Sequence, residues 1–505
     1  MNALAALRRR QDYVPTDVAT GRVADHVVTG SLWAGVGVLA TAVLQFIRSM
    51  IFARLLMPAD FGVISLANVF TQFILLFANF GFTASIIYQR GLTRKDLATV
   101  WWGSLAVDGA AALACVVFAF ASHRFLNNPQ VPAIICLLSI QFMMVSVGSI
   151  NGALMRRQFR FKQTALVNIW GSVATFAAAY VGVRAFHGGV YGLVGGVLFG
   201  TAVMTLLNFL YLPWLPSRFF SWAVLKEHVS YGRWFLGVTL VTYSNENVDR
   251  LLIGTRLGNT ALGYYDYAAN LPMQIVLQLG TVLNTVLFPA FANLQHDFAE
   301  LRRVLLRVMR YNMLIIYPLL VGLAIVAPDF VTVAYGAKWA PIILPTRIFC
   351  VFGLVRVLIN PYYSLCNGVG RPALPFKWSA IALPLNLALL VLGVTWGKLD
   401  GITLAKLFLP TFVFVTLGTE IMRHIGLPLR ELGAASQPAA ACCLVMAAVV
   451  LLVRATLGPS LGSPLSRLLA EVSAGGLAYV AALRLMWRTE FQGLLSVAAR
   501  LRQTV

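Results

Sequence analysis

Apolar residues run along this chain in long unbroken blocks, and polar residues gather in the short stretches between them. Fourteen blocks fall near 31–54, 61–88, 97–120, 131–155, 164–186, 189–212, 234–256, 261–292, 311–335, 341–366, 374–396, 400–422, 434–457 and 467–487. A helix of about 20 apolar residues, rising about 1.5 Å per residue, covers the ~30 Å hydrocarbon core of a bilayer. Each block therefore predicts a membrane-crossing helix, and the chain reads as an all-α polytopic membrane protein with about 14 transmembrane helices. Two intervening stretches are more than connectors. In 294–310, Arg303, Arg307 and Arg310 share one helical face while Phe298, Leu301 and Leu305 share another, the pattern of a helix lying in the membrane interface. Residues 217–233, with Phe219, Phe220, Trp222 and Lys226, suggest a second such helix joining two halves.

The pattern repeats. Arg48 and Arg54-Leu55 close the first block and Phe61-Gly62 opens the second, while Arg250 and Arg256-Leu257 close the seventh and Leu262-Gly263 opens the eighth. Asn151-Gly152, followed by Arg156, Arg157 and Phe161-Lys162, returns as Asn367-Gly368, followed by Arg371 and Phe376-Lys377. Internal repeats of the same orientation are a transporter signature, with an axis along the membrane normal and a central cavity between the lobes. The expected organisation is an N-lobe over 31–212 and a C-lobe over 234–425, two pseudo-symmetric six-helix units. A cytoplasmic segment, 1–30, precedes them and a cytoplasmic linker, 213–233, joins them. Helices thirteen and fourteen, within 434–487, lie outside the repeat, and 488–505 is a cytoplasmic tail.

Composition agrees with the pattern. Hydrophobic residues make up 59% of the 505 and charged residues only 11%, against about 25% charged in soluble domains. The net charge of +21 would suggest nucleic acid if it were spread over one surface. It is not: with the N-terminus inside, 26 of the 39 basic residues fall in inner segments, eight in outer loops and five within spans. That bias sets both termini in the cytoplasm by the positive-inside rule and removes the nucleic-acid reading. The first 28 residues lack the apolar core of a signal peptide. The six cysteines all lie in apolar blocks with no metal-ligand spacing, so they read as small core residues. Neither a metal site nor a cofactor is expected. No Walker A sequence is present, which leaves an ion or proton gradient to supply the energy.

Three stretches, ARLLMPADFGVISLA (53–67), ALMRRQFRFKQTALVNI (153–169) and DRLLIGTRLGNTALGYYDYAANL (249–271), resemble the polysaccharide-transport branch of the multidrug/oligosaccharidyl-lipid/polysaccharide exporter superfamily. Within it the likeness is to Wzx-type flippases, and it runs from about residue 25 to 430. The resemblance implies a fourteen-helix transporter carrying undecaprenyl-diphosphate-linked O-antigen or exopolysaccharide units from the cytoplasmic to the outer leaflet of a bacterial inner membrane. It implies no enzymatic activity. Its partners would be the lipid-linked oligosaccharide, membrane lipids and other glycan-assembly membrane proteins, and a monomer is expected. Related peptidoglycan-precursor flippases carry an arginine six residues before another near the end of their first helix, which Arg48 and Arg54 match. Ser49 stands where those relatives have an acidic residue.

Charges inside spans cost at least about 2.5–3.5 kcal/mol each and normally face a bundle interior or a water-filled cavity. Arg48 and Arg250 are repeat-equivalent, so folding is expected to set them opposite each other, where two guanidinium forks suit a diphosphate. Arg356, Lys406 and Arg347 extend the candidate cationic lining, Arg347 with a snorkelling alternative. Glu246, Asp249 and Asp266 cluster near the outer half of spans seven and eight and are the candidates for coupling or gating. Static ion pairing, including Glu246 with Arg250 at a helical i, i+4 spacing, is the competing reading for these groups. Asp108 and Glu420 are further intramembrane acids. Tyr264, Tyr265 and Tyr267 fit an interfacial aromatic belt better than a sugar-stacking surface. Interior prolines are concentrated in the second lobe, at Pro272, Pro289, Pro318, Pro345, Pro361, Pro384 and Pro410, and suggest helices that bend during alternating access. The rival functions are a multidrug exporter of the same superfamily, a membrane-embedded glycan-assembly enzyme, and a scaffold for the glycan machinery. The basic residues within spans and the short outer loops weigh against the first two.

Overall fold

A computed structural model of the chain describes residues 23–78, 86, 93–122, 128–294, 297–371, 373–458 and 460–503. Most of the cytoplasmic N-terminal segment expected over 1–30, together with Arg90 and Arg124, lies outside these described residues. Among them the secondary structure is helical, with no strand. The helices are α1 (Val23–Leu55), α2 (Pro58–Ala78), α3 (Arg94–Ser122), α4 (Gln130–Arg157), α5 (Phe161–Arg184), α6 (Gly189–Tyr211) and α7 (Trp222–Arg256). They continue with α8 (Asn259–Asn293), α9 (Phe298–Ala334), α10 (Ile343–Gly368), α11 (Ala373–Lys406), α12 (Phe408–Ile425), α13 (Leu429–Thr456), α14 (Pro464–Met486) and α15 (Arg488–Gln503). Helices α1 to α14 follow the fourteen predicted spans in order. Among the described residues, 11 stretches are long and apolar enough to cross a bilayer, and one of these, Ala373–Ile425, holds two predicted spans.

Local chemistry starts these helices where the apolar blocks begin. Before α3, the Thr93 amide donates to Asp96 Oδ2 at 2.9 Å and the Asp96 amide donates to Thr93 Oγ1 at 3.3 Å, a reciprocal cap. Asp297 accepts from the Glu300 amide at 2.9 Å and opens α9. The eleventh and twelfth spans form one hairpin, turned at Lys398, whose φ is +49°. Beside that turn, Gly393 and Gly401 bring their backbones so close that a side chain on either would strike the other. The α5–α6 hairpin closes the same way, since a Cβ on Gly192 would lie 2.7 Å from the carbonyl carbon of Gly182.

The chain divides into two compact units, with the boundary inside α7 between Tyr243 and Ser244. In the first unit α2 packs on α3 and α4, α3 on α4, α4 on α6, and α5 on α6. In the second, α8 packs on α9 and α10, α9 on α10, α10 on α12, and α11 on α12. Each neighbour pair of the first set recurs six helices later, the packing counterpart of the sequence repeat. Helices α13 and α14 pack on α9 within the second unit. Arg454 of α13 fixes them there: it donates to both Glu471 oxygens of α14, at 2.8 and 2.9 Å, and to Asp329 of α9 at 3.0 Å.

Two expectations are corrected. The amphipathic stretch 294–310 is no separate interfacial helix, because α9 runs unbroken from Phe298 to Ala334. Leu301, Leu305 and Met309 are fully buried in the core of the second unit, and Arg302 pairs with Glu431 at the start of α13. An apolar stripe on a helix says only that it is covered; here protein covers it, not lipid. Helix α7 likewise begins at Trp222 and continues into the seventh span. The segment before it is tied to α3, with Trp102 Nε1 donating to the Ser217 carbonyl at 3.0 Å.

Candidate functional site

The second unit gathers most of the charged residues singled out within the spans. Glu246, Asp249 and Arg250 lie in the last three turns of α7, and Tyr265 and Asp266 in the second turn of α8. The short turn between these helices, with Gly258 at φ +86°, folds α8 back along α7 and brings residues 16 apart in sequence into contact. Arg356 reaches in from the middle of α10 and Lys406 from the end of α11.

Three ion pairs result. Arg250 Nε donates to Asp266 Oδ1 at 2.7 Å, Arg356 to Glu246 Oε1 at 2.5 Å, and Lys406 Nζ to Asp249 Oδ2 at 2.7 Å. Three cations meet three carboxylates, so the cluster is balanced rather than cationic. The i, i+4 pairing of Glu246 with Arg250 does not form through the carboxylate. Arg250 instead reaches the Glu246 backbone carbonyl at 3.3 Å and Asn247 Oδ1 at 2.9 Å.

Burial divides the cluster in two. Lys406 and Asp249 are 7% and 2% exposed, and the ammonium spends its remaining donors on the carbonyls of Asn245, at 3.0 Å, and Glu246, at 3.4 Å. The Tyr265 hydroxyl also donates to Asp249. This is a saturated buried pair, with every Lys406 proton used. The other two pairs sit at the rim: Arg250 and Asp266 are 32% and 21% exposed, and Arg356 and Glu246 28% and 42%. A guanidinium has five donors in a fixed fork, so donors remain at the rim beyond those that the carboxylates take.

One candidate of the second unit lies outside the cluster. Arg347 is exposed and donates to the Ala324 carbonyl of α9 at 3.0 Å, away from the cluster. Arg48 is half-buried on α1, in the first unit. The aromatic belt expected of the tyrosines is corrected for Tyr265 and Tyr267, which are buried, 1% and 7% exposed. Tyr267 lies against Trp339, ring centroids 4.1 Å apart, and Tyr264 donates to the Lys338 carbonyl at 3.2 Å. The short 3-10 helix Ala337–Ile342, which joins α9 to α10, covers these rings where lipid was expected. Tyr265 is the member of the site that sequence reasoning misplaced. Its one available signal was the offset of 16 that it shares with the Arg250–Asp266 pair.

Fold and site together define a multi-pass membrane protein of transporter architecture. Its fold is that of a lipid II flippase, MurJ, solved in an inward closed conformation, with a TM-score of 0.74 and 13% identity, over 90% of this chain and 99% of that one. A multidrug resistance MATE family transporter of the MOP superfamily, in an inward-facing conformation, follows at TM-score 0.57 and 13% identity, over 86% of this chain and 99% of that one. The polysaccharide biosynthesis protein family matches residues 51–344, a stretch containing all three motifs quoted above, and the chain belongs to that family. Among its relatives, the lipopolysaccharide biosynthesis protein WzxC of Escherichia coli (strain K12) is 26% identical over 76% of this chain and 78% of its own length. The succinoglycan biosynthesis transport protein ExoT of Rhizobium meliloti (strain 1021) is 24% identical over 92% of this chain and 94% of its own. The resemblance to the polysaccharide-transport branch is thereby borne out.

Proposed function

We propose that this protein is a flippase that carries undecaprenyl-diphosphate-linked oligosaccharide repeat units from the cytoplasmic to the outer leaflet of the bacterial inner membrane by alternating access. Both termini lie in the cytoplasm in this reading, and a proton gradient supplies the energy. Family membership, and relatives whose names place them in lipopolysaccharide biosynthesis and succinoglycan transport, support it. The observation that carries it is the pair of rim arginines, Arg250 and Arg356, each held by a single carboxylate and partly exposed. A diphosphate offers the acceptor geometry that a carboxylate offers, with more charge. On arrival it displaces Asp266 and Glu246, which thus act as gates. Asp249 and Lys406 hold α7 and the twelfth span together beneath them and position the arginines. Arg48 is proposed as a further phosphate ligand on the strength of the repeat alone. The polyprenyl tail stays in lipid, since each CH₂ moved into water costs about 0.8 kcal/mol.

The test is transfer of a labelled polyprenyl-diphosphate oligosaccharide from a protected to an exposed leaflet in proteoliposomes. Wild-type protein is expected to transfer it, and Arg250→Ala and Arg356→Ala proteins that insert normally are expected to lose most of the rate. Full transfer by both variants overturns the assignment.

A further inference from the structure

Apart from Asp400, exposed beside the Lys398 turn of α11, the carboxylates within the spans of the second unit are neutralised. Glu246 pairs with Arg356, Asp249 with Lys406, Asp266 with Arg250, Glu420 with Lys377, and both Asp329 and Glu471 with Arg454. In the first unit Asp108 differs. It stands at the midpoint of α3, 14 residues from Arg94 and from Ser122, which puts it about 21 Å from either end. No basic side chain of the described residues pairs with it. Beside it on α4 is Ser146, whose hydroxyl donates to Ser104 Oγ, one turn before Asp108 on α3, at 3.3 Å. Asp108 does not point to lipid: it continues the buried stripe of Ser104, Ala111, Cys115, Ala119 and Ser122, the side of α3 turned to its neighbours.

We propose that Asp108 is the proton-binding site that couples transport to the proton gradient. The inference rests on the proton-driven flippase reading above and supplies what that reading lacks, a carboxylate free to exchange a proton. Protonating Glu246, Asp249 or Asp266 leaves a cation uncompensated in the membrane. Protonating Asp108 strands nothing. One proton adds to a carboxylate oxygen and no other bond changes; the resulting O–H faces the Ser146 oxygen, whose own hydrogen is already donated to Ser104 Oγ. Removing the proton restores a charge near the bilayer centre, at a cost of about 2.5–3.5 kcal/mol on insertion scales. That penalty gives the two protonation states different structural preferences, which coupling requires. Among the described side chains, the other ionisable groups on the neighbouring elements sit at other levels of their helices. They are Arg94, Lys95 and Asp96 at the start of α3, Cys115 further along it, Asp60 at the start of α2, and Cys136, Arg156 and Arg157 on α4. From α7 come Lys226 and Tyr243, whose hydroxyl donates to the Val69 carbonyl at 2.6 Å.

Two readouts test the proposal. In lipid-embedded protein, infrared difference spectra between acid and alkaline pH are expected to contain a carboxylic C=O band that is absent in Asp108→Asn and displaced in Asp108→Glu. In proteoliposomes, a pH difference of one unit is expected to shift the wild-type steady-state distribution of a labelled polyprenyl-diphosphate oligosaccharide by up to about tenfold, for one proton per cycle. Asp108→Asn is expected to abolish that shift and Asp108→Glu to retain part of it. An unaltered band in Asp108→Asn, or an undiminished pH-driven shift, overturns the assignment. If the wild-type protein moves no lipid while the band behaves as expected, the flippase reading fails and the proton site stands.

Discussion

Replacing Lys406 with methionine keeps the length of the side chain and removes the ammonium. Asp249, 2% exposed, is then left with the Tyr265 hydroxyl and the Arg250 amide as partners and no ion pair. Removing one member of a buried ion pair costs about 3–5 kcal/mol. If the contact were an ordinary interhelical hydrogen bond, the loss would be about 0.6 kcal/mol and at most about 1.7. The two explanations are thus separated by more than the error of a folding measurement. The assay is reversible unfolding by SDS in bicelles, followed by the fluorescence of the 11 tryptophans. Lys406→Met is expected to cost more than about 2 kcal/mol. Adding Asp249→Leu removes the stranded charge and is expected to recover most of that, leaving about 1 kcal/mol for the unpartnered Tyr265 hydroxyl. Adding Tyr265→Phe removes this remainder. A single-variant cost below about 1 kcal/mol, or a double variant as unstable as the single, refutes the buried pair as the brace beneath the arginines.

Other consequences are independent. Arg250→Lys keeps the charge but not the fork, so transfer is expected to fall between wild type and Arg250→Ala when initial rates are compared. Gly192→Leu inserts a side chain where a Cβ alone sits 2.7 Å from backbone, and the yield of folded, monodisperse protein is expected to drop with a loss of about 1–3 kcal/mol. Arg454→Met strands Glu471, 1% exposed, and releases Asp329; unfolding midpoints are expected to fall by the equivalent of about 2 kcal/mol, with α13 and α14 the first segments to exchange deuterium.

The positions of the helices were legible because the bilayer imposes a length and a polarity that a single sequence must satisfy. The repeat was legible for the same reason: Arg48 and Arg54 sit near the end of α1 as Arg250 and Arg256 do near the end of α7. Charges within spans flagged the site because each is too costly to lack a role. What the pattern did not carry was partnership. Glu246 and Arg250 share the spacing of a helical ion pair, yet α8 offers Asp266 and α10 offers Arg356, and the two side chains turn to those instead. Nor does an apolar stripe along a helix distinguish lipid from protein as the covering phase. That ambiguity misassigned 294–310, whose leucines face the core of the second unit, and Tyr265, whose hydroxyl answers a buried carboxylate. Lys398, at positive φ between two apolar blocks, marks a hairpin that hydropathy shows only as a brief polar break.

The central claim is that a diphosphate takes the place of a carboxylate at Arg250. Equilibrium binding of a polyprenyl-diphosphate oligosaccharide to detergent-solubilised Asp266→Asn measures this directly. With the competing carboxylate neutralised, affinity is expected to rise about tenfold, some 1.4 kcal/mol, while Arg250→Ala lowers it. Affinity that falls in Asp266→Asn, or that is indifferent to both substitutions, contradicts the account.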